Sequence, residues 1–215
     1  MVDIYWHMHI IIHMKPVTDK ERQVIEALRH SGIARASDFR AAGIHSEYLR
    51  RLCATGRIER ASRGLYTLPD AEVTMHHGLA LTAKAVPKSV VCLLSALRFH
   101  EIGTESPYEV WIAVNRRAAR PRMKYPRLRV MRFSGDAFTE GIDVHTVEGV
   151  RVSIYNPAKT VADCFKYRNK IGLDVALEAL RHVMRRRTCT VDDLWRYAKV
   201  CRVTGIIRPY MEALL

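Results

Sequence analysis

Apolar residues recur at helical spacing in three consecutive segments near the start of the chain. A capping-box pattern, Thr18 to Glu21, opens the first segment, and a glycine follows each of the three, as is common after helix C-termini. Two short runs typical of β-strands come next, separated by the turn Ser62-Arg63-Gly64. The predicted elements are helices at 18–31, 37–42 and 46–55 and strands at 57–61 and 65–68.

Three short helices followed by a hairpin are the pattern of a winged helix-turn-helix domain. On the third helix, the spacing places two leucines on one side and Glu47, Arg50 and Arg51 on the other. A recognition helix needs this division, because one side packs while the other enters the major groove of DNA. The hairpin, or wing, carries Arg60 and Arg63, which suit contacts to sugar-phosphate or the minor groove. Glu47 either reads a cytosine amino group or pairs with a neighbouring arginine.

Beyond residue 70 the pattern changes to a larger mixture of helices and strands. The predicted helices are 75–85, 89–100, 157–166, 173–185, 191–200 and 206–214, and the predicted strands are 108–114, 128–133 and 150–155. We therefore predict an α+β protein with a winged helix-turn-helix DNA-binding domain at 17–70 and a mixed α+β C-terminal domain at 71–215. Residues 1–16 form an N-terminal tail in this division.

The tail is apolar but lacks the basic start and the cleavage site of a signal peptide, and it is too short to span a bilayer. Translation from Met14 instead of Met1 is an open alternative. The tail's His7 and His9 have no third ligand at a recognised spacing, so no metal site is predicted. The five cysteines include no CxxC pair, which favours a reducing cytoplasm and argues against disulfides or a zinc ribbon.

The formal net charge of +13 favours nucleic acid or another anionic partner. One long stretch, from Arg116 to Arg132, contains many basic residues and no acidic one. Two interpretations are open for it: a second DNA contact, or a solvated surface that faces an acidic protein. Pro121 and Pro126 indicate an exposed loop and favour the DNA contact. The residues of this possible second contact are Arg116, Arg117, Arg120, Arg122, Lys124 and Arg127.

The chain lacks the motifs of nucleotide-binding loops, serine hydrolases, zinc peptidases and zinc deaminases. No acidic residue stands two positions before a lysine, as a PD-(D/E)xK nuclease requires. We therefore expect no catalytic residue, no metal and no cofactor. Two other function classes stay open: a nucleic-acid-processing enzyme whose wing docks substrate, and a protein-interaction module for an acidic partner.

Two blocks of sequence resemble AbiEi-type antitoxins, which are transcriptional regulators of bacterial abortive-infection (type IV) toxin–antitoxin systems. The first block comprises residues 35–39, the third predicted helix and the wing through Pro69, and the second comprises 155–168 and 171–177. The resemblance implies a repressor that binds double-stranded DNA at inverted repeats in the promoter of its own operon. It also implies an antitoxin that counters a nucleotidyltransferase-like toxin, with or without direct contact, and no membrane partner. Carried over by position, the DNA-contacting residues are Ser37, His45, Ser46, Tyr48, Arg50, Arg51, Arg60 and Arg63.

Overall fold

The structure is a computed structural model and describes residues 18–214; the predicted tail at 1–16 lies outside this range. The first part of the chain forms three helices and a three-stranded antiparallel sheet in which β3 lies between β1 and β2. These elements are α1 (Asp19–Ser31), β1 (Ala34–Arg35), α2 (Ala36–Ala41), α3 (Ser46–Ala54), β2 (Glu59–Ser62) and β3 (Leu65–Thr67).

Local sequence explains the limits of these helices. The predicted capping box is present, since the Glu21 amide donates to Thr18 Oγ1 at 3.3 Å and the Thr18 amide donates to Glu21 Oε2 at 2.9 Å. Val24 and Leu28 of α1 pack with Leu49 and Leu52 of α3 in a small core. The three helices and the hairpin were predicted, whereas the two-residue strand β1 was not.

The rest of the chain forms a five-stranded mixed sheet with the strand order β6-β5-β4-β8-β7. The β4–β8 and β5–β6 pairs are parallel, and the β4–β5 and β7–β8 pairs are antiparallel. Its strands are β4 (Val90–Val91), β5 (Val110–Asn115), β6 (Leu128–Phe133), β7 (Ile142–Val147) and β8 (Val150–Tyr155). Its helices are α4 (His77–Ala85), α5 (Leu93–Phe99), α6 (Asp136–Thr139), α7 (Pro157–Lys166), α8 (Arg168–Ile171), α9 (Leu173–Arg186), α10 (Val191–Cys201) and α11 (Thr204–Glu212).

Both faces of this sheet are covered, which explains the unbroken apolar run of β5. Trp111 and Ala113 lie in the core formed with α7, α9, α10 and α11. Ile112 and Val114 lie in a second core on the opposite face, formed with α4. The predicted α+β class is therefore confirmed.

Some predicted bounds are wrong. The helix predicted over 89–100 is interrupted, because Val90–Val91 form the strand β4 and the helix α5 begins only at Leu93. The strand β7 and the short helices α6 and α8 were not predicted. The helix predicted from residue 75 begins at His77.

The two parts of the chain share a core. Ile33 and Leu65 of the winged helix-turn-helix part are buried in the same cluster as Leu79, Ile112 and Ile154 of the second part. This apolar contact holds the wing against the larger sheet, so the position of the wing is set by packing and not by a loose linker.

A backbone contact reinforces the junction. Gly32, at the end of α1, lies so close to the β7–β8 turn that a Cβ atom built on it would be 1.8 Å from the Glu148 carbonyl oxygen. The Glu148 carboxylate in turn contacts His77 Nδ1 at 2.6 Å and accepts a hydrogen bond from the Thr74 amide at 2.7 Å. Within residues 18–214, no helix is long and apolar enough to cross a membrane.

Candidate nucleic-acid interface

The helix α3 has a packed side and an exposed side, as its sequence predicts. Leu49 and Leu52 are 1% and 2% exposed, whereas the Arg50 and Arg51 side chains are 74% and 55% exposed. The exposed side contains two of the eight residues that the resemblance assigns to DNA contact. Neither arginine is covered by the second part of the chain, so both are available to an external partner.

Glu47 pairs with both of these arginines. Arg50 Nη2 lies 2.6 Å and Arg51 Nε 3.3 Å from Glu47 Oε1. The hydrogen bond from Arg50 is the main cause that lowers the pKa of Glu47 to about 2, so this carboxylate is ionised at physiological pH. Of the two interpretations of Glu47, the structure shows the ion pairs with neighbouring arginines. Because Glu47 is negatively charged, the exposed side of α3 carries less net positive charge than its arginines alone would give.

Three more of the predicted DNA-contacting residues lie at the N-terminus of α3. His45 is the N-cap, and its Nδ1 accepts a hydrogen bond from the Glu47 amide at 3.3 Å. Ser46 is the first helical residue and is exposed. Tyr48 is half-buried, packs against the small core and lies under the Arg51 guanidinium at 5.9 Å. His45 and Ser46 are therefore open to an external partner, and the Tyr48 ring lies between the small core and the Arg51 guanidinium.

The wing projects its arginines outward. Arg60 lies on β2 and Arg63 in the turn between β2 and β3, and both are exposed. Gly64, the next residue in the turn, has φ +74°. The glycine permits this conformation, which other residues rarely adopt. Ser62 Oγ donates to the Tyr125 carbonyl oxygen at 3.2 Å and ties the wing to the long basic loop between β5 and β6.

The wing and this loop border one groove of about 740 Å³. Residues from both parts of the chain contribute cations to it, and we name it the basic groove. Its cationic side chains are Arg35, Arg63, Arg120, Arg122 and Lys124. Ser37, another predicted contact, is exposed and also borders the groove. The structure therefore brings together residues that lie far apart in sequence.

Arg35 was not predicted as a contact residue. It precedes α2, and its Nε atom is buried with no hydrogen-bond partner among residues 18–214. An unpaired buried N–H is unusual in a folded protein. The sequence could not distinguish Arg35 from an ordinary solvent-exposed arginine. The groove that surrounds it forms only when the wing packs beside the loop between β5 and β6.

The residues of the predicted second contact do not all border the basic groove. Arg120, Arg122 and Lys124 border the basic groove, whereas the exposed Arg116 and Arg117 stand at the start of the loop, outside it. Arg132 fixes that start by donating to the Arg116 carbonyl oxygen at 3.1 Å. Arg127 borders a different cleft, beside α4.

A buried ionic pair lies in the second part of the chain, within the second block of resemblance. Lys159 Nζ and Asp163 Oδ2 are 2.6 Å apart, and both side chains are fully buried. The Cys201 thiol donates to Asp163 Oδ1 at 3.2 Å, and burial raises the pKa of Cys201 to about 12. The thiol is therefore protonated at physiological pH, and no substrate reaches this cluster through the packed core. Its residues support the core.

We also searched the described part of the chain for side chains that could bind a metal ion. Within residues 18–214, no group of three or more His, Cys, Asp or Glu side chains is arranged to hold a metal ion. All five cysteines are free thiols, and Cys92, Cys164 and Cys201 are buried in the core.

Comparison with known proteins supports the assignment of the first part. Residues 21–69 match the model of a family described as "Transcriptional regulator, AbiEi antitoxin", which confirms the resemblance over the winged helix-turn-helix part. The crystal structure of the RV2827C protein from Mycobacterium tuberculosis has a similar fold, with a TM-score of 0.53 and 13% identity over 94% of this chain and 82% of that chain. No curated protein matches the sequence.

Proposed function

We propose that this protein is a DNA-binding transcriptional repressor of its own operon and the antitoxin of a type IV toxin–antitoxin system, acting in the cytoplasm without catalysis. The family match at residues 21–69 supports a regulator of the antitoxin class. The observation that carries the proposal is the basic groove, in which cations from the wing and from the second part of the chain face the same space.

The proposed mode of binding follows from the positions of these side chains. The exposed side of α3 enters the major groove, where Arg50 or Arg51 contacts a guanine edge and His45 and Ser46 contact the adjacent backbone. Arg63 at the wing turn enters the neighbouring minor groove. Arg120, Arg122 and Lys124 then neutralise phosphates beyond the wing, which lengthens the footprint.

Arg35 completes the binding surface in this proposal. The Arg35 side chain lines the basic groove, and its Nε atom is buried with no acceptor among residues 18–214. In the proposed complex, a phosphate in the groove pairs with this guanidinium through its Nη atoms, and a charge-assisted hydrogen bond of this kind is stronger than one between neutral groups.

Each copy of the protein reads one half of an inverted repeat, so two copies occupy one operator. The proposed toxin is a nucleotidyltransferase-like protein. Co-purification of the two proteins after co-expression tests for direct contact, and rescue of growth without co-purification assigns the antitoxin effect to a route without a stable complex.

Gel shifts with the upstream intergenic DNA at several salt concentrations test the repressor. We expect a clear preference for this DNA over random duplex, and a loss of about 1–3 kcal/mol of binding free energy in Arg51→Ala and in Arg63→Ala. Arg181→Ala, an exposed arginine of α9 on the other face of the sheet, is the matched control and keeps full affinity. Equal affinity for random duplex, or full affinity in both variants, would refute the proposal.

A further inference from the structure

A second cleft, of about 450 Å³, lies beside α4 and is distinct from the basic groove. Its floor is apolar and includes Leu79, Val110 and Pro126. None of its lining residues borders the basic groove. Its volume lies within the range of small-ligand sites, about 300–1,000 Å³.

Two tyrosines stand open at this cleft. Tyr108 is 84% exposed and Tyr125 is 62% exposed, and the neighbouring Met75 is 72% exposed. These are the three most exposed large apolar side chains of residues 18–214 apart from Val73. Exposed apolar side chains that border one cleft together form the kind of patch that marks a ligand or partner site.

The same cleft carries two arginines. Arg98 and Arg127 line it, and both are exposed. Within residues 18–214, neither has a carboxylate within salt-bridge distance. Both guanidinium groups are therefore available to an anion that enters the cleft.

Glu109 adds a hydrogen-bond acceptor to the lining. Its side chain is only 17% exposed, and its nearest cationic atom is Arg129 Nε at 3.9 Å, beyond hydrogen-bond distance. A carboxylate in this setting accepts hydrogen bonds from hydroxyl or amino groups of a ligand.

Aromatic faces, guanidinium groups and a carboxylate acceptor together match the parts of one kind of ligand. We propose that this cleft binds a free nucleotide, with its base against Tyr108, the more exposed of the two tyrosines, and its phosphate on Arg98. Base–aromatic stacking and arginine–phosphate pairing are the ordinary means by which proteins hold nucleotides. The inference does not depend on the proposed repressor function, because it uses none of the residues of the basic groove.

Other occupants fit less well. The bases of duplex DNA are stacked on each other, so their faces are not available to a tyrosine side chain. An apolar peptide would cover the tyrosines but would leave two guanidinium groups at the cleft without an anion, at a cost in desolvation.

Isothermal titration calorimetry on the full chain tests the proposal. The probes are AMP, GMP, CMP and UMP, with adenosine and inorganic phosphate as partial ligands. We expect at least one nucleotide to bind more tightly than both partial ligands. Tyr108→Ala and Arg98→Ala should each weaken that binding about tenfold. Tyr108→Phe, which keeps the ring, and Arg181→Ala, which is remote, should bind like the unaltered protein.

Three outcomes would overturn the inference. The first is no nucleotide binding at millimolar concentration, or binding that Tyr108→Ala and Arg98→Ala leave unchanged. The second is equal affinity for inorganic phosphate alone, which would reduce the cleft to an anion site. The third is tighter binding of a single-stranded oligonucleotide, lost in the same variants, which would assign the cleft to a strand. Thermal melts verify folding of the variants, and gel shifts with operator DNA separate any failure here from a failure of the repressor proposal.

Discussion

Glu47 decides how much positive charge α3 presents to a partner. It lies among the exposed residues of the helix, and its carboxylate holds both Arg50 and Arg51. In the DNA-binding proposal this pairing has two effects. It restricts the rotamers of the arginines, which favours a fixed geometry, and it places a negative charge where phosphates approach. In this proposal, Glu47 therefore lowers the affinity for DNA of any sequence and raises the preference for the operator.

Replacing Glu47 with Gln tests this balance. The pKa of Glu47 is held near 2 by the hydrogen bond from Arg50 and its partners, so the variant removes a full charge at any pH above about 4. We expect affinity for random duplex to rise about two- to fivefold, as for other exposed charge pairs, while preference for the operator falls. Fluorescence anisotropy with both duplexes measures the two affinities. A loss of affinity for the operator with unchanged affinity for random duplex would contradict this expectation and would mean that Glu47 itself contacts a base.

At the level of elements, the junction of α1 with the β7–β8 turn depends on two glycines, Gly32 and Gly149, of which Gly32 makes the closer contact. Gly32 has φ +63° and ψ −59°, a conformation that residues with a Cβ rarely adopt. The Glu148 carbonyl oxygen occupies the space where a Cβ would stand. The winged helix-turn-helix part can approach the larger sheet this closely only because the side chain is absent.

Gly43 provides a matched control for this junction, since its φ is +71° but nothing lies within 4 Å of an added Cβ. We expect Gly43→Ala to lower the free energy of unfolding by about 1 kcal/mol, the cost of the backbone conformation alone. Gly32→Ala should cost about 1–3 kcal/mol more, because the backbone of the turn must move. Urea unfolding followed by circular dichroism measures both. Equal losses would show that the junction is not tightly packed.

The buried pair on α7 supports a second prediction at this scale. Lys159→Met leaves Asp163 buried without its cation, at a cost of about 3–5 kcal/mol, whereas the double variant Lys159→Met/Asp163→Leu should be close to the original stability. Burial already raises the pKa of Asp163, and loss of Lys159 raises it further. The folded single variant therefore keeps a proton that the unfolded chain releases, so its stability should fall as pH rises above about 4. Thermal melts of both variants at pH 5 and at pH 8 measure the loss of stability and its dependence on pH. If the stability of Lys159→Met did not change with pH, Asp163 would have to reach water.

The elements differ in how far sequence predicts them. The two sides of α3 follow from local spacing alone, so the exposure of Arg50 and Arg51 was predictable. The strand β4 was missed because Val90 and Val91 continue into the apolar run of α5, and periodicity cannot divide so short a strand from a helix. The strand β7 was missed because it is an edge strand whose residues Asp143 and Val144 are exposed, which leaves no clear alternation.

At the scale of the whole molecule, the basic groove joins residues that share no local sequence pattern. The basic run was predicted as one second contact, but only its middle borders the basic groove, while Arg127 borders the cleft beside α4. The wing lies beside residues 120–124 because Ile33 and Leu65 pack in one core with residues of the larger sheet. The other basic residues of the run lie outside that contact. Contacts between distant segments of this kind depend on the assembled fold and leave no local pattern.

The common groove predicts how salt acts on DNA binding. If Arg63 and Arg122 face the same duplex, each neutralises one phosphate, and the slope of log K against log salt flattens by about 0.9 for each one removed. The double variant Arg63→Ala/Arg122→Ala should therefore flatten the slope by about 1.8, and Arg181→Ala should leave it unchanged. Anisotropy titrations with operator DNA across a salt series measure these slopes. If Arg122→Ala had the slope of the unaltered protein while Arg63→Ala did not, the duplex would contact the wing alone, and the cations of the loop would serve another partner.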